Sequence, residues 1–209
     1  MAISNYTELQ TAVANWLDRD DLTNRIPEFI SLCEARFNRT LRIRAMETLD
    51  ESVDTVAGTS TIALPTGYIQ MRDIHLIADP LVQLQYVTPE IYNRIYAGSS
   101  SGKPQVYTII ANNIKFGPTP DVVYDVSMLY YKKFDALSDS SPTNWVITNA
   151  PDVYLYGALL EAEPFLMNDQ RIQLWATALT ESMTKIQEQD QKDRHSGSAL
   201  RIMNTGGYY

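Results

Sequence analysis

The acidic side chains are the residues of this sequence that could carry out general acid–base chemistry. Glu161 and Glu163 are two residues apart, so on a helix their carboxylates point to different sides, which does not suit a catalytic pair. Asp190 and Asp193 share one helical face, but a charged helix end in water also explains them. A glycoside hydrolase needs two carboxylates that face each other across a cleft, and no such pair stands out. We therefore expect no catalytic residues.

Motifs that hold a phosphate, a nucleotide or a zinc ion are not found either. The sequence contains no P-loop signature, no Gly-rich dinucleotide loop, no HExxH and no CxxC. His75 and His195 are far apart and fall in different predicted units, and nothing indicates a histidine-based triad. Cys33 is the one cysteine, which excludes an internal disulfide, and its place on an apolar helix face favours a core residue over a nucleophile. We expect no metal and no cofactor.

The composition is that of a globular protein with an acidic surface. The chain has 209 residues, of which 44% are hydrophobic and 20% charged, enough for one domain or two small ones. Its net charge is −8, whereas a protein that grips nucleic acid normally carries the opposite balance. An acidic protein can still lie beside DNA if its task is to let the DNA slide. We expect neither a signal peptide nor a membrane span, because no apolar run is long enough.

Two amphipathic helices are predicted at the start of the chain. The first covers residues 6–19, with Asn5 as N-cap and Glu8 three residues later. The second begins near Pro27, which suits a first helical turn. Four arginines are predicted near its end: Arg36, Arg39, Arg42 and Arg44. They indicate either a solvated helix end that complements the helix dipole or a contact surface for an acidic neighbouring subunit.

The middle of the chain has the pattern of strands and turns, and its last part that of helices. Residues 46–148 are rich in Thr and Val between Gly and Pro turns, with one short helix after Thr88, and predict a small antiparallel β unit. A third helix begins near Pro151 and is bent or ended by Pro164. A long fourth helix is predicted over residues 168–191. Its apolar seam consists of Ile172, Trp175, Ala176, Leu179, Met183 and Ile186.

These elements predict an α+β fold with three parts. Residues 1–45 and 149–191 form a four-helix-type bundle, because neither helix pair has another apolar partner. Residues 46–148 form an inserted small antiparallel β domain. Residues 192–209 form an extended C-terminal tail that cannot fold alone, and it is either a frayed end or an arm that holds another protein.

A succession of short motifs resembles the head-to-tail adaptor (head-completion, connector) proteins of tailed bacteriophages, in particular those of short-tailed phages. The motifs are, in order, Phe29-Ile30, residues 34–39, Leu41-Arg42, Met46-Glu47, Leu64-Pro65, Tyr68, Met71-Arg72, residues 102–104, residues 118–120, Tyr130-Tyr131, residues 152–159 and residues 193–201. Together they cover nearly the whole chain.

The resemblance implies a structural protein of the virion, made in the host cytoplasm, and not an enzyme. About twelve copies would form a ring under the portal protein, extend the DNA channel and carry the tail or nozzle proteins. Genomic DNA would pass through the lumen during ejection without specific binding, which fits the acidic charge. The four arginines would make inter-subunit ring contacts. The tail would dock on the portal or a neighbour through Arg194, Ser196, Gly197, Leu200, Arg201 and Met203.

Two alternatives from other classes remain open at this point. One is a virion-associated peptidoglycan hydrolase that uses Glu161 or Asp190 as general acid. The other is a free-standing binding module that uses the β unit.

Overall fold

The computed structural model describes residues 2–19, 21–96, 98, 101–166 and 169–194, and it has an α+β fold. Contacts divide the chain into two compact units. The helical unit consists of Met1–Ala45 and Phe134–Tyr209, and the β unit is Met46–Lys133. Residues 134–148, which the sequence analysis assigned to the β domain, therefore group with the helices in this division.

The elements follow one another in a simple order. The helices of the described residues are α1 (Tyr6–Leu17), α2 (Ile26–Thr40), α3 (Pro89–Tyr96), α4 (Trp145–Asn149), α5 (Pro151–Leu166) and α6 (Asp169–Arg194). The strands are β1 (Glu47–Asp54), β2 (Thr61–Ala63), β3 (Tyr68–Leu76), β4 (Val82–Gln83), β5 (Gln85–Tyr86), β6 (Val106–Ile110), β7 (Asn113–Gly117) and β8 (Asp125–Lys132). A 3₁₀ turn at Arg44–Met46 precedes β1.

The starts of α1 and α2 agree with the sequence, which predicts Asn5 as the N-cap of α1 and Pro27 in the first turn of α2. Asn5 Oδ1 accepts a hydrogen bond from the Glu8 N–H at 3.0 Å, so Asn5 caps α1 as predicted. The carboxylate of Glu8 accepts hydrogen bonds from the backbone N–H and the hydroxyl of Ser4. Helix α2 ends at Thr40, so the prediction that the whole arginine set lies on one helix is wrong for Arg42 and Arg44.

Helix α5 is the centre of the helical unit. It contacts α1, α2, α4 and α6, and it is buried on most sides, as its apolar sequence predicts. Pro164 lies inside its last turn, and the helix ends two residues later at Leu166. Cys33 on α2 is buried against α5 beside Gly157, which confirms its expected place in the core.

The seam of α6 also faces the core. Trp175, Leu179 and Met183 are buried, and the other predicted seam residues are half-buried. The helix continues to Arg194, so Lys192, Asp193 and Arg194, which were expected in the extended tail, form its last turn.

A buried polar network connects α2, α5 and the segment that precedes α4. Glu34 Oε1 accepts hydrogen bonds from the Leu137 N–H at 2.8 Å and from the Tyr154 hydroxyl at 3.0 Å. The Asn144 side-chain amide donates to the same hydroxyl and to the Asp135 carbonyl. Buried polar groups need such partners, and these bonds explain why residues 134–144 pack with the helices despite their polar sequence.

The β unit contains two four-stranded sheets, with strand orders β1-β8-β3-β4 and β2-β7-β6-β5. Apolar side chains from both sheets form one core that includes Ile74, Phe116 and Met128. The pairs of these strands are antiparallel, as the sequence predicts, except for the short parallel pair β5–β6.

Candidate docking surface of the helical unit

Two of the four arginines predicted at ring contacts are held by bonds within their own unit. Arg36 Nε donates to Glu161 Oε1 at 2.7 Å, which joins α2 to α5. Arg42 Nη1 donates to the carbonyls of Asn38 and Leu41, where the last carbonyls of α2 lack helical partners. Both guanidinium groups therefore stabilise the end of α2.

The other two arginines present their side chains to solvent. Arg39, on α2, and Arg44, just past it, are exposed, and neither guanidinium has a salt bridge or hydrogen bond with another residue in the part of the chain that the structure describes.

Asp190 contacts one arginine predicted at the ring contacts, Arg44, and one predicted in the docking tail, Arg194. Its Oδ1 accepts a hydrogen bond from the backbone N–H of Arg44 at 2.8 Å, and its Oδ2 accepts one from Arg194 Nε at 2.7 Å. The second bond is an i,i+4 ion pair on α6, with both side chains largely shielded from solvent. Arg44, predicted at the ring contact, and Arg194, predicted at the docking tail, thus share one carboxylate. The remaining predicted tail residues, Ser196, Gly197, Leu200, Arg201 and Met203, lie outside the described residues.

A groove with a volume of about 560 Å³ opens beside this junction, between the second half of α6 and the segments around Ile43 and Trp145. Apolar side chains form part of its lining, and they include Ile43, Trp145, Ala150 and Ile186. Charged side chains are also present, namely Arg44, Asp152, Lys185, Asp190 and Asp193. The lining is therefore mixed, and polar and charged residues outnumber the apolar ones.

The sequence carries only one local signal of this groove. The four-residue spacing of Asp190 and Arg194 predicts an ion pair on a helix. The contact with Arg44 joins residues 146 positions apart, and no local pattern could indicate it.

The carboxylates considered for catalysis have other partners here. Glu161 pairs with Arg36, and buried Glu163 accepts a hydrogen bond from the indole N–H of Trp175 at 2.8 Å. Within the described ranges, no cluster of three or more His, Cys, Asp or Glu side chains could hold a metal ion. No described helix is long and apolar enough to span a membrane.

Comparison with known proteins identifies one family. The family model described as SU10 adaptor protein matches residues 4–202, which is nearly the whole chain. Among curated proteins, none matches the chain. The family match confirms the resemblance to phage head-to-tail adaptors.

Proposed function

Since this chain belongs to the SU10 adaptor protein family, we propose that it forms a ring, of about twelve copies, under the portal of a phage head. The ring extends the DNA channel and provides the platform for tail or nozzle proteins. The observation that carries this proposal is the family match over residues 4–202. Membership of this family itself indicates a structural adaptor of a phage virion.

The ring contacts are proposed at the arginine set near the end of α2. Arg39 and Arg44 supply exposed guanidinium groups that can pair with carboxylates of the next subunit. Arg36 and Arg42 contribute indirectly, because their bonds to Glu161 and to the α2 carbonyls hold the contact surface in place. In this assignment, the helices act as a four-helix-type bundle that packs against its neighbours around the ring.

The portal contact is proposed at the end of the chain, from Arg194 through Ser196, Gly197, Leu200 and Arg201 to Met203. Repetition around a ring makes weak individual contacts sufficient, because each later contact forms at a high effective concentration. The β unit is left for the tail or nozzle proteins. Passage of DNA is supported by the net charge of −8, since an acidic lumen repels the phosphates and allows sliding.

Electron microscopy of the full-length protein mixed with its purified portal tests this function. We expect a second ring stacked on the portal ring, with the same axis. A portal that stays bare at micromolar adaptor concentration contradicts the proposal. Binding of single copies without ring closure would instead support the alternative of a free-standing binding module.

A further inference from the structure

Three loops of the β unit meet at one end of the sheet β1-β8-β3-β4. Strand β1 ends at Asp54, β3 ends at Leu76 and β8 begins at Asp125. The register pairs Asp54 with Asp125 and Leu76 with Val126, so these three strand ends lie side by side. The loops that adjoin them therefore lie at the same end of the sheet, and they consist of residues 55–60, 77–81 and 118–124.

These loops expose five large apolar side chains, which together are named the apolar tip: Val56, Ile77, Leu81, Val122 and Val123. Their exposed fractions lie between 45% for Ile77 and 59% for Leu81 and Val123. A single exposed apolar residue is ordinary on a protein surface, but several at one place mark a surface that binds another molecule.

Hydrogen bonds hold the backbone of the apolar tip in place. The hydroxyl of buried Thr55 accepts a hydrogen bond from the Tyr124 N–H at 2.8 Å and donates one to the Val122 carbonyl at 3.4 Å. The Ile77 N–H donates to the Asp125 carbonyl at 2.9 Å, which continues the β3–β8 pairing into the loop. A surface that is ordered before binding loses less conformational entropy when a partner binds.

The charged residues at this end of the sheet are all acidic. Residues 54–60, 77–81 and 118–125 contain no Lys, Arg or His and four aspartates, namely Asp54, Asp79, Asp121 and Asp125. All four side chains are exposed. Asp54 and Asp125 are direct partners across the β1–β8 pair, and like charges at such positions destabilise a sheet. A cationic group of a binding partner would offset this repulsion.

Apolar side chains next to carboxylates discriminate between the possible occupants. A second copy of the apolar tip would place aspartates against aspartates. A nucleic acid or an anionic membrane would place phosphates against them, which is also repulsive. A protein surface that has an apolar patch flanked by Lys or Arg complements both the apolar side chains and the carboxylates.

We propose that the apolar tip is the surface on which the tail-side partner of the ring docks, and that this partner presents an apolar patch flanked by Lys or Arg. The choice of the tail side rests on the proposed function, in which the β unit is left for tail or nozzle proteins. The apolar contacts supply most of the affinity, and the aspartates orient the partner and accelerate its association.

Binding of the full-length chain to the purified tail or nozzle protein of the same virion, measured by biolayer interferometry, tests the proposal. Val123→Ser removes one side chain of the apolar tip. Leu49→Ser is the matched control, because Leu49 is also 59% exposed but lies near the start of β1, opposite Leu129. We expect Kd to rise about tenfold for Val123→Ser and less than about twofold for the control. Equal Kd values for the two variants overturn the proposal.

Asp54→Asn combined with Asp125→Asn separates binding from folding. Removal of the like-charge repulsion should leave the urea midpoint of unfolding unchanged or raise it. The Kd for the tail or nozzle protein should nevertheless rise several-fold, and its dependence on salt should weaken. A Kd equal to that of the native chain contradicts the proposed charge complementarity.

Other occupants give different results. Sedimentation of the native chain with phosphatidylcholine vesicles that Val123→Ser abolishes would identify a lipid surface and overturn the proposal. Dimers of the native chain that Val123→Ser abolishes would identify a second copy and overturn it too. So would a native chain that binds the tail or nozzle protein neither free nor on the portal.

The ring is scored separately, by electron microscopy with the portal. A free chain that binds the tail or nozzle protein through the apolar tip but forms no ring supports this inference and contradicts the ring. A ring on the portal whose tail binding ignores Val123→Ser does the reverse.

Discussion

Cys33 and Gly157 face each other where α2 packs against α5, with no space between them for another atom. A Cβ added at Gly157 would overlap Cys33 Sγ and lie 3.2 Å from Cys33 Cβ. The δ-methyl group of Leu179 on α6 would be 3.7 Å away. Gly157 is therefore required by the close approach of two helices and not by backbone freedom, and the small Cys33 side chain serves the same approach.

Gly157→Ala should destabilise the helical unit, because the added methyl group forces two packed helices apart. We expect a loss of about 1–3 kcal/mol in the free energy of unfolding, measured by urea denaturation. Cys33→Ala added to this variant should recover part of the loss, since it removes the overlapping sulfur. Gly98→Ala, whose Cβ would meet no atom, is the control. Equal stability of Gly157→Ala and the control would contradict the packing argument.

Glu34 should make the stability of the protein depend on pH. Burial raises the pKa of its carboxyl group, which the hydrogen bonds from Leu137 and Tyr154 only partly oppose. A carboxyl group whose pKa is raised on folding favours the folded state when protonated. Its contribution is complete below the unfolded pKa of about 4.3 and is lost as the pH rises through the folded pKa.

Glu34→Gln should remove this dependence while keeping an oxygen that accepts both hydrogen bonds. We expect the stability of the variant relative to the native protein to increase as the pH rises from about 4, in chemical denaturation at several pH values. Glu28→Gln, at an exposed position on the same helix, serves as the comparison. A pH-independent difference between Glu34→Gln and the native protein would show that the carboxyl group does not titrate differently on folding.

Asp190→Ala should loosen the end of α6. The variant loses the acceptor for the Arg44 N–H and the ion pair with Arg194, and we expect a loss of about 1–2 kcal/mol in unfolding free energy. Asp193→Ala, which loses one exposed hydrogen bond from Gln189, should change stability by less than about 0.5 kcal/mol. Similar values for the two variants would mean that the contact with Arg44 contributes little.

The sequence predicted the helices better than the connections between them. The seam of α6 and the cap of α1 rest on local spacing, which a single sequence displays directly. The sequence placed residues 134–148 in the β domain, whereas the division by contacts groups them with the helices. Their attachment to the helices comes from the buried bonds of Glu34 to Leu137 and Tyr154, across more than 100 residues. The parallel pairing of β5 with β6 was not predicted either. The paired stretch is short, and α3 lies between the two strands in the sequence, so no local pattern indicates the pairing.

In the candidate site, too, local features were predictable from the sequence and long-range contacts were not. The arginines were selected from the sequence by type and spacing, but their roles differ once the end of α2 is located at Thr40. Arg42 caps the helix, whereas Arg44 reaches Asp190 through its backbone. The residue type, arginine, does not by itself predict either contact.

Arg39→Glu and Arg44→Glu should impair ring formation without unfolding the subunit. Because the guanidinium groups are exposed, each charge reversal should leave the free energy of unfolding within about 0.5 kcal/mol. A reversal that opposes a carboxylate of the next subunit should weaken the ring contact by about tenfold, or about 1.4 kcal/mol per contact. Mass photometry with the portal measures the ring fraction. Arg25→Glu, at the start of α2, is the control, and rings that form equally with all three variants would exclude these arginines from the contact.

Removal of residues 195–209 should separate folding from docking. The truncation keeps Arg194 and its ion pair with Asp190, so α6 retains its last turn. We expect the free energy of unfolding to change by less than about 1 kcal/mol, because chain ends usually contribute little to the stability of a domain. Portal binding, measured by cosedimentation, should fall below detection, since each copy loses its proposed anchor and the ring loses the avidity that repetition provides. A truncated protein that binds the portal as well as the full chain would assign the docking contact to the helices instead.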